Sequence, residues 1–275
     1  MDLKVPLVIA SGVGGMGEYL KLVDPSCIGA YTLKTITLKS KVGNPPCRLI
    51  ATKDYLINSI GLENPGVDEF LRRLKDGEYN WIFEKVKVIL SLGGDNLDEY
   101  RLVAEKVKDV EEKFVAIEFN FSCPNVEKGG LGVVTDLSNL ERLLGILRKT
   151  LKSFLIAKVG IEGIFVEYFA KMLENNGWNG ISLINTIRAL KFVDGKIFKG
   201  GLSGPVLKPI ALRAVYEVRR VTSNLFVIGG GGISNEEDAK EFLMAGADAV
   251  SVGTIIYKNP KIVERIAESL RRGRL

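Results

Sequence analysis

The chain has 275 residues, 46% hydrophobic and 26% charged, with a net charge of +5. That suits one α/β barrel of about 250 residues, and the charge is too mild and too evenly spread to suggest nucleic acid. The absence of histidine excludes a Ser-His-Asp triad, a Cys-His dyad and an imidazole metal site.

Three scattered cysteines, Cys27, Cys47 and Cys123, cannot make a four-thiolate metal site and argue against a secreted disulfide scaffold. No apolar run nears the ~18 residues of a membrane span, so a cytoplasmic chain with no metal is expected. Short apolar runs then recur, each followed by a glycine- or asparagine-containing loop and a helical pattern. The predicted strands are residues 5–10, 28–33, 86–91, 115–120, 154–159, 180–184, 225–228 and 249–252. Their nearly continuous apolar character is that of strands buried on both faces of a parallel sheet. After the second strand, residues 47–59 read as an inserted hairpin with Thr52-Lys53-Asp54 near its turn.

Residues 164–173 step by four through Ile164/Phe165, Tyr168/Phe169 and Met172/Leu173. Residues 207–220 put Leu207, Ile210, Ala211, Ala214, Val215 and Val218 on one helix face, with Pro205 and Pro209 near its start. Residues 235–245 open after Ser234 as predicted N-cap, with Glu237 at the third position, and Gly246 closes that helix. Eight strands alternating with helices predict one domain over residues 1–275, an α/β fold. It is a (β/α)8 TIM barrel with the hairpin over its C-terminal face. A doubly wound open sheet is the alternative.

In such barrels the chemistry lies on the loops after the strands. Four of these are glycine-rich: residues 10–15, Gly200-Gly201-Leu202-Ser203-Gly204, Gly229–Gly232 and Gly253-Thr254. Glycines let backbone N–H groups converge on an anion, and loops after strands seven and eight are the usual barrel phosphate position. Lys34 and Lys158 end apolar strands, a costly placement unless an anion meets them. Asn58, Asn120, Asn125 and Asn185 cluster at strand ends, where amides suit a pyrimidine imide. Cys123 sits in the polar loop Phe121-Ser122-Cys123-Pro124-Asn125. With no histidine to activate it, a proton acceptor is a more natural role than an acyl-transfer nucleophile. A thiol of ordinary pKa near 8.5 is roughly 3% thiolate at pH 7, so activity should rise into the alkaline range.

At these residues the chain resembles the class 1 dihydroorotate dehydrogenases over nearly its whole length. The anchors are Lys34-Thr35, Gly43-Asn44-Pro45-Pro46, Asn58-Ser59-Ile60-Gly61-Leu62 running into Asn64-Pro65-Gly66, Asn120 to Asn125, Gly200 to Gly204, and Gly253-Thr254. The resemblance implies an FMN-containing (β/α)8 barrel that oxidises dihydroorotate to orotate in pyrimidine biosynthesis. Cys123 would be the base, taking a proton from C5 while C6 gives a hydride to the flavin. It implies a substrate cage of Lys34, Asn58, Ser59, Ile60, Gly61, Leu62, Asn120, Asn125, Asn185 and Thr186. Flavin contacts would be Ala10, Ser11, Gly12, Lys34, Thr35, Asn120, Lys158, Ile184, Gly204, Gly231, Gly232, Gly253 and Thr254.

Residues 125–130, Asn-Val-Glu-Lys-Gly-Gly, are similar to the NAD-linked class 1B pattern. That implies an electron-transfer partner subunit carrying FAD and a 2Fe-2S cluster, around a homodimeric core within a hetero-oligomer. The sequence departs from the family in three places: Ser91 stands where an asparagine is frequent, residues 186–199 are short, and Leu131-Gly132-Val133-Val134 is atypical. Two alternatives share parts of this pattern. The Ser-Cys-Pro core also resembles dihydropyrimidine dehydrogenases, and the phosphate loops alone would suit a flavin-free phosphosugar lyase or isomerase.

Overall fold

A computed structural model describes residues 1–121 and 137–272. Eight parallel strands close a barrel: β1 (Leu7–Ile9), β2 (Ala30–Thr32), β3 (Val88–Gly93), β4 (Ala116–Asn120), β5 (Leu155–Val159), β6 (Gly180–Leu183), β7 (Phe226–Gly230) and β8 (Ala249–Val252). Each pairs with its neighbour in sequence, and β1 pairs with β8 to complete the ring. All eight predicted strands are present, their ends trimmed or shifted by at most two residues. The open-sheet alternative is thereby set aside.

Strand alternation sorts the side chains. In β4, Ile117 and Phe119 face the helices, and Phe119 packs against Tyr100 and Trp178. Ala116, Glu118 and Asn120 face the barrel interior. The lower interior is a dry apolar cluster of Val8, Ala30, Ile89, Ala116, Ile156, Ile228 and Ala249, with Leu3 beneath. Two residues further along β2, β3, β4, β5 and β8, the interior becomes polar at Thr32, Ser91, Glu118, Lys158 and Ser251, and β6 adds Ser182. Barrels fill in such layers, and here the change from apolar to polar marks the end that carries the site.

The predicted helices are present but bury narrower stripes than their spacing suggests. In Lys208–Val221, Ala211, Ala214, Val215 and Val218 are buried, whereas Ile210 is exposed. In Val166–Asn175, Phe169 and Leu173 are buried, while Phe165 and Tyr168 stand in solvent. The N-cap before Glu236–Met244 is Asn235, not Ser234: its side chain accepts from Asp238 N at 2.9 Å. Asp238 is therefore the third helical residue, and its Oδ2 reaches back to Ser234 N at 2.8 Å.

The hairpin over the mouth is larger than predicted. Leu49–Ala51 and Leu56–Asn58 form the expected pair. A second hairpin, Ile187–Val193 with Lys196–Ser203, joins it through Leu56–Asn58 to make a four-stranded antiparallel sheet. Its signal was present in the sequence: Asp194-Gly195, both at positive φ, is the dipeptide of a tight hairpin turn between strands. Gly200 and Gly201 thus belong to a strand, not to a phosphate loop. A Cβ on Gly200 would come within 2.2 Å of Asn58 O, so that glycine serves strand approach.

Below this sheet the chain turns at Leu62, a non-glycine residue with φ 54°. Buried Asn64 holds the turn with four hydrogen bonds. Its Oδ1 accepts from Thr37 N (3.1 Å) and Gly66 N (2.9 Å). Its Nδ2 donates to Thr37 Oγ1 (2.8 Å) and Leu62 O (2.7 Å). Asn64→Ala would orphan two buried backbone N–H groups and is expected to cost about 2–4 kcal/mol. That corresponds to a Tm lowered by roughly 5–10 °C in a domain of this size, readable by thermal unfolding.

Candidate active site

The polar end of the barrel opens into a cavity of about 480 Å³, within the range of cofactor and ligand sites. Ala10, Ser11 and Gly12 enter it after β1, and Lys34 and Thr35 after β2. Asn120 and Lys158 come from β4 and β5, and Ile184, Asn185 and Thr186 follow β6. Gly231 and Gly232 follow β7, and Gly253 and Thr254 follow β8. From above, Asn58, Ile60 and Leu62 hang from the first hairpin and Gly204 from the second. Residues that lie up to 244 positions apart in sequence therefore share one wall.

Ser59 and Gly61 do not line the cavity. They are held by Asn44, whose Nδ2 donates to Ser59 O at 3.1 Å and Ser59 Oγ at 2.9 Å, and whose Oδ1 lies 2.8 Å from where a Gly61 Cβ would stand. Cys123 and Asn125 lie outside the described residues, as does the stretch Leu131 to Val134. Among the described residues, no cluster of three or more His, Cys, Asp or Glu could hold a metal.

The glycine loops divide by what a side chain would strike. Gly14 packs under Tyr31, whose hydroxyl bonds to its carbonyl, and Gly229 packs against Phe242, Ala247 and Val215. Those two serve the fold. Gly232, at φ 93°, is different: a Cβ there would meet Lys208 N at 2.6 Å and Gly204 O at 3.0 Å. Gly232, Gly204 and the start of the Lys208–Val221 helix thus form a tight backbone cradle at the cavity wall.

The amides are held by backbone and by each other. Tyr100 donates its hydroxyl to Asn120 O at 2.6 Å, Asn185 Nδ2 lies 3.3 Å from Asn120 Oδ1, and Asn58 Nδ2 donates to Gly201 O at 3.2 Å. Lys34 is fixed through its backbone N–H to Gly15 O at 2.9 Å.

A row of hydroxyls runs from the cavity wall at Ser11 and Thr35 to buried Ser91 beneath the floor. Ser11 Oγ donates to Leu33 O (2.9 Å) and lies 3.1 Å from Thr35 Oγ1. Thr35 Oγ1 is 2.9 Å from Ser91 Oγ, which is 3.0 Å from Glu118 Oε1. Ser91, one of the departures from the family pattern, is fully buried and absent from the cavity wall. Burial pushes the Glu118 carboxyl above the usual carboxylate range, against the opposing pull of Lys158 and the Ser91 hydrogen bond.

Several wall residues escaped sequence reasoning. Leu49, Ala51 and Tyr55 face down from the first hairpin, a consequence of its register. Tyr257 and Lys258 follow β8, and Lys258 Nζ donates to Lys53 O at 2.7 Å, tying that loop to the hairpin turn. Such a tie has no sequence signature.

The dihydroorotate dehydrogenase family model matches residues 1–273. The chain is 51% identical over 271 residues to the dihydroorotate dehydrogenase B (NAD(+)) catalytic subunit of Thermotoga maritima, covering 98% of both. It is 37% identical to the protein of the same name from a Thermoanaerobacter strain, covering 99% of this chain and 90% of that one. The ligand-free dihydroorotate dehydrogenase structure from Eimeria tenella superposes with a TM-score of 0.82 at 23% identity, over 96% of this chain and 83% of that one, a likeness of fold. Matched end to end by the family model and by a 51% identical relative, the chain belongs to the dihydroorotate dehydrogenase family, and its activity is that of a dihydroorotate dehydrogenase of pyrimidine biosynthesis.

Proposed function

We propose that the chain is the FMN-binding catalytic subunit of an NAD-linked dihydroorotate dehydrogenase, with Cys123 as base. The observation that carries this reading is one cavity lined by Lys34, Lys158, three asparagines and the Gly204–Gly232 cradle. The donor set suits FMN: backbone N–H groups for a phosphate, and Lys158, Asn120, Ser11 and Thr35 for a polar ring. When bound, FMN supplies the acceptor for the substrate's hydride. The chain's own residues do the rest. Lys34 pairs with the substrate carboxylate, and Asn58, Asn120, Asn125 and Asn185 hold the imide edge. Cys123 removes the C5 proton, and Lys158 offsets negative charge at the ring. A lyase or isomerase acting on phosphosugars gives no reason for the amides and is not supported by the family assignment.

The partner subunit rests on the names of the relatives, each a catalytic subunit, and on a cysteine count too small for a cluster. A homodimeric core and a cytoplasmic location complete the proposal. Among the described residues no helix is long and apolar enough to cross a membrane.

The test uses the lone chain. Apoprotein titrated with FMN is expected to turn yellow, and anaerobic dihydroorotate to bleach it. Electrons should then pass readily to a synthetic dye and only slowly to NAD. A protein that takes up no FMN would overturn the cofactor assignment, and rapid NAD turnover by the lone chain would overturn the need for a partner.

A further inference from the structure

The row of hydroxyls has a proton count. Four contacts must each hold one hydrogen: Glu118–Ser91, Ser91–Thr35, Thr35–Ser11 and Ser11–Leu33 O, at 3.0, 2.9, 3.1 and 2.9 Å. Three hydroxyls bring three hydrogens. With Glu118 ionised, Ser91 donates to the carboxylate and Ser11 to Leu33 O. Thr35 then has one hydrogen for two neighbours, and one of its two contacts, to buried Ser91 or to half-buried Ser11, faces with none between. With Glu118 protonated, donation runs one way, from Glu118 to Ser91, Thr35, Ser11 and the carbonyl, and every contact is filled.

We propose that Glu118 is a positioning residue that stays protonated beneath the cavity floor, closing this chain of hydrogen bonds and leaving the charge of Lys158 to an anionic ligand above. Glu118 is 3% exposed; its strand neighbours in register are Ser91 on β3 and Ile156 on β5. Among the described residues, Lys158 is the charged group that acts on it, two positions beyond Ile156 on the same interior face. Burial favours the neutral acid, in agreement with the count. The chain ends on a backbone carbonyl, so it orients and does not conduct protons. Were Glu118 ionised, its charge would oppose any anion drawn to Lys158. By linkage, an anion in the cavity and a proton on Glu118 favour each other. The proton count stands without the flavin reading, whereas the consequence for Lys158 rests on it.

Infrared spectra of the apoprotein in heavy water test the first part. A carbonyl band of a protonated carboxyl is expected at neutral pH in the wild type and absent in Glu118→Gln. No such difference would overturn the proposal. If the glutamine variant does not fold, Ser91→Ala replaces it: loss of the acceptor should shift the band, and an unmoved band would count against the assignment.

FMN binding to apoprotein at neutral pH, followed by fluorescence quenching, tests the second part. With Glu118 already neutral, Glu118→Gln should leave the affinity for FMN essentially unchanged. Binding tighter by about tenfold in the variant, the scale of one unit charge across ~10 Å at an effective dielectric of ~20, would show a charge on Glu118 opposing the ligand and overturn the role toward Lys158. Failure of both proteins to bind FMN would sink the flavin reading while leaving the infrared result intact.

Discussion

Cys123→Ala is expected to lower dihydroorotate turnover by about 10²–10⁴-fold, the usual contribution of a positioned base, while the protein still binds FMN and remains yellow. Neither of the other two thiols is placed to take over the proton. There is no histidine. Cys27 is buried outside the cavity wall, and burial raises its pKa, with the Asp24 charge adding to the effect. Cys47 is exposed on the way into the first hairpin and bonds Leu49 O. Cys123→Ser should also lose most turnover, because a hydroxyl is far less acidic than a thiol. The wild-type rate should climb with pH toward the ordinary thiol range near 8.5, and that limb should vanish in both variants. Stopped-flow flavin bleaching with dihydroorotate measures this directly. Near-normal bleaching in Cys123→Ala would remove the base assignment.

Lys34→Met is expected to raise the KM for dihydroorotate by about two orders of magnitude, with flavin content reduced less. Removing one partner of a desolvated charge pair costs about 2–5 kcal/mol. Lys34 is partly buried at the cavity wall, its backbone tied to Gly15, so water cannot easily replace the lost ammonium. Lys39→Met, at an exposed position that does not line the cavity, is the control and should change KM little. Equal effects at both positions would show that overall charge, not a contact at Lys34, draws in the substrate.

The barrel was readable because its strands are buried on both faces, and a continuous apolar run such as Ile28-Gly-Ala-Tyr-Thr-Leu33 has few other uses. The site was readable where chemistry conflicts with setting: Lys34 and Lys158 are charges at the ends of apolar strands, and Asn120 an amide. What escaped was set by tertiary contact. Gly200 and Gly201 look like loop glycines until Asn58 lies against them across the sheet. Asn235 and Ser234 are equally good caps by composition, and only the turn geometry selects Asn235. Glu118 reads as one polar residue in an apolar strand. Its meaning comes from Ser91, 27 positions earlier, and from a hydroxyl row drawn from three separate strands and loops.

The two-hairpin sheet over the mouth also sets a timetable. Asn58 and Gly201, which meet across it, are 143 positions apart. At about 5–20 residues per second, a ribosome needs roughly 7–30 s to pass from one to the other. During that interval the edge of Leu56–Asn58 facing away from Leu49–Ala51 has no strand beside it, and such an edge invites a neighbouring nascent chain to pair in its place. The roof of the cavity is thus a point of vulnerability during synthesis, and chaperone dependence should track the strength of the Leu56–Asn58 edge more closely than that of the barrel below.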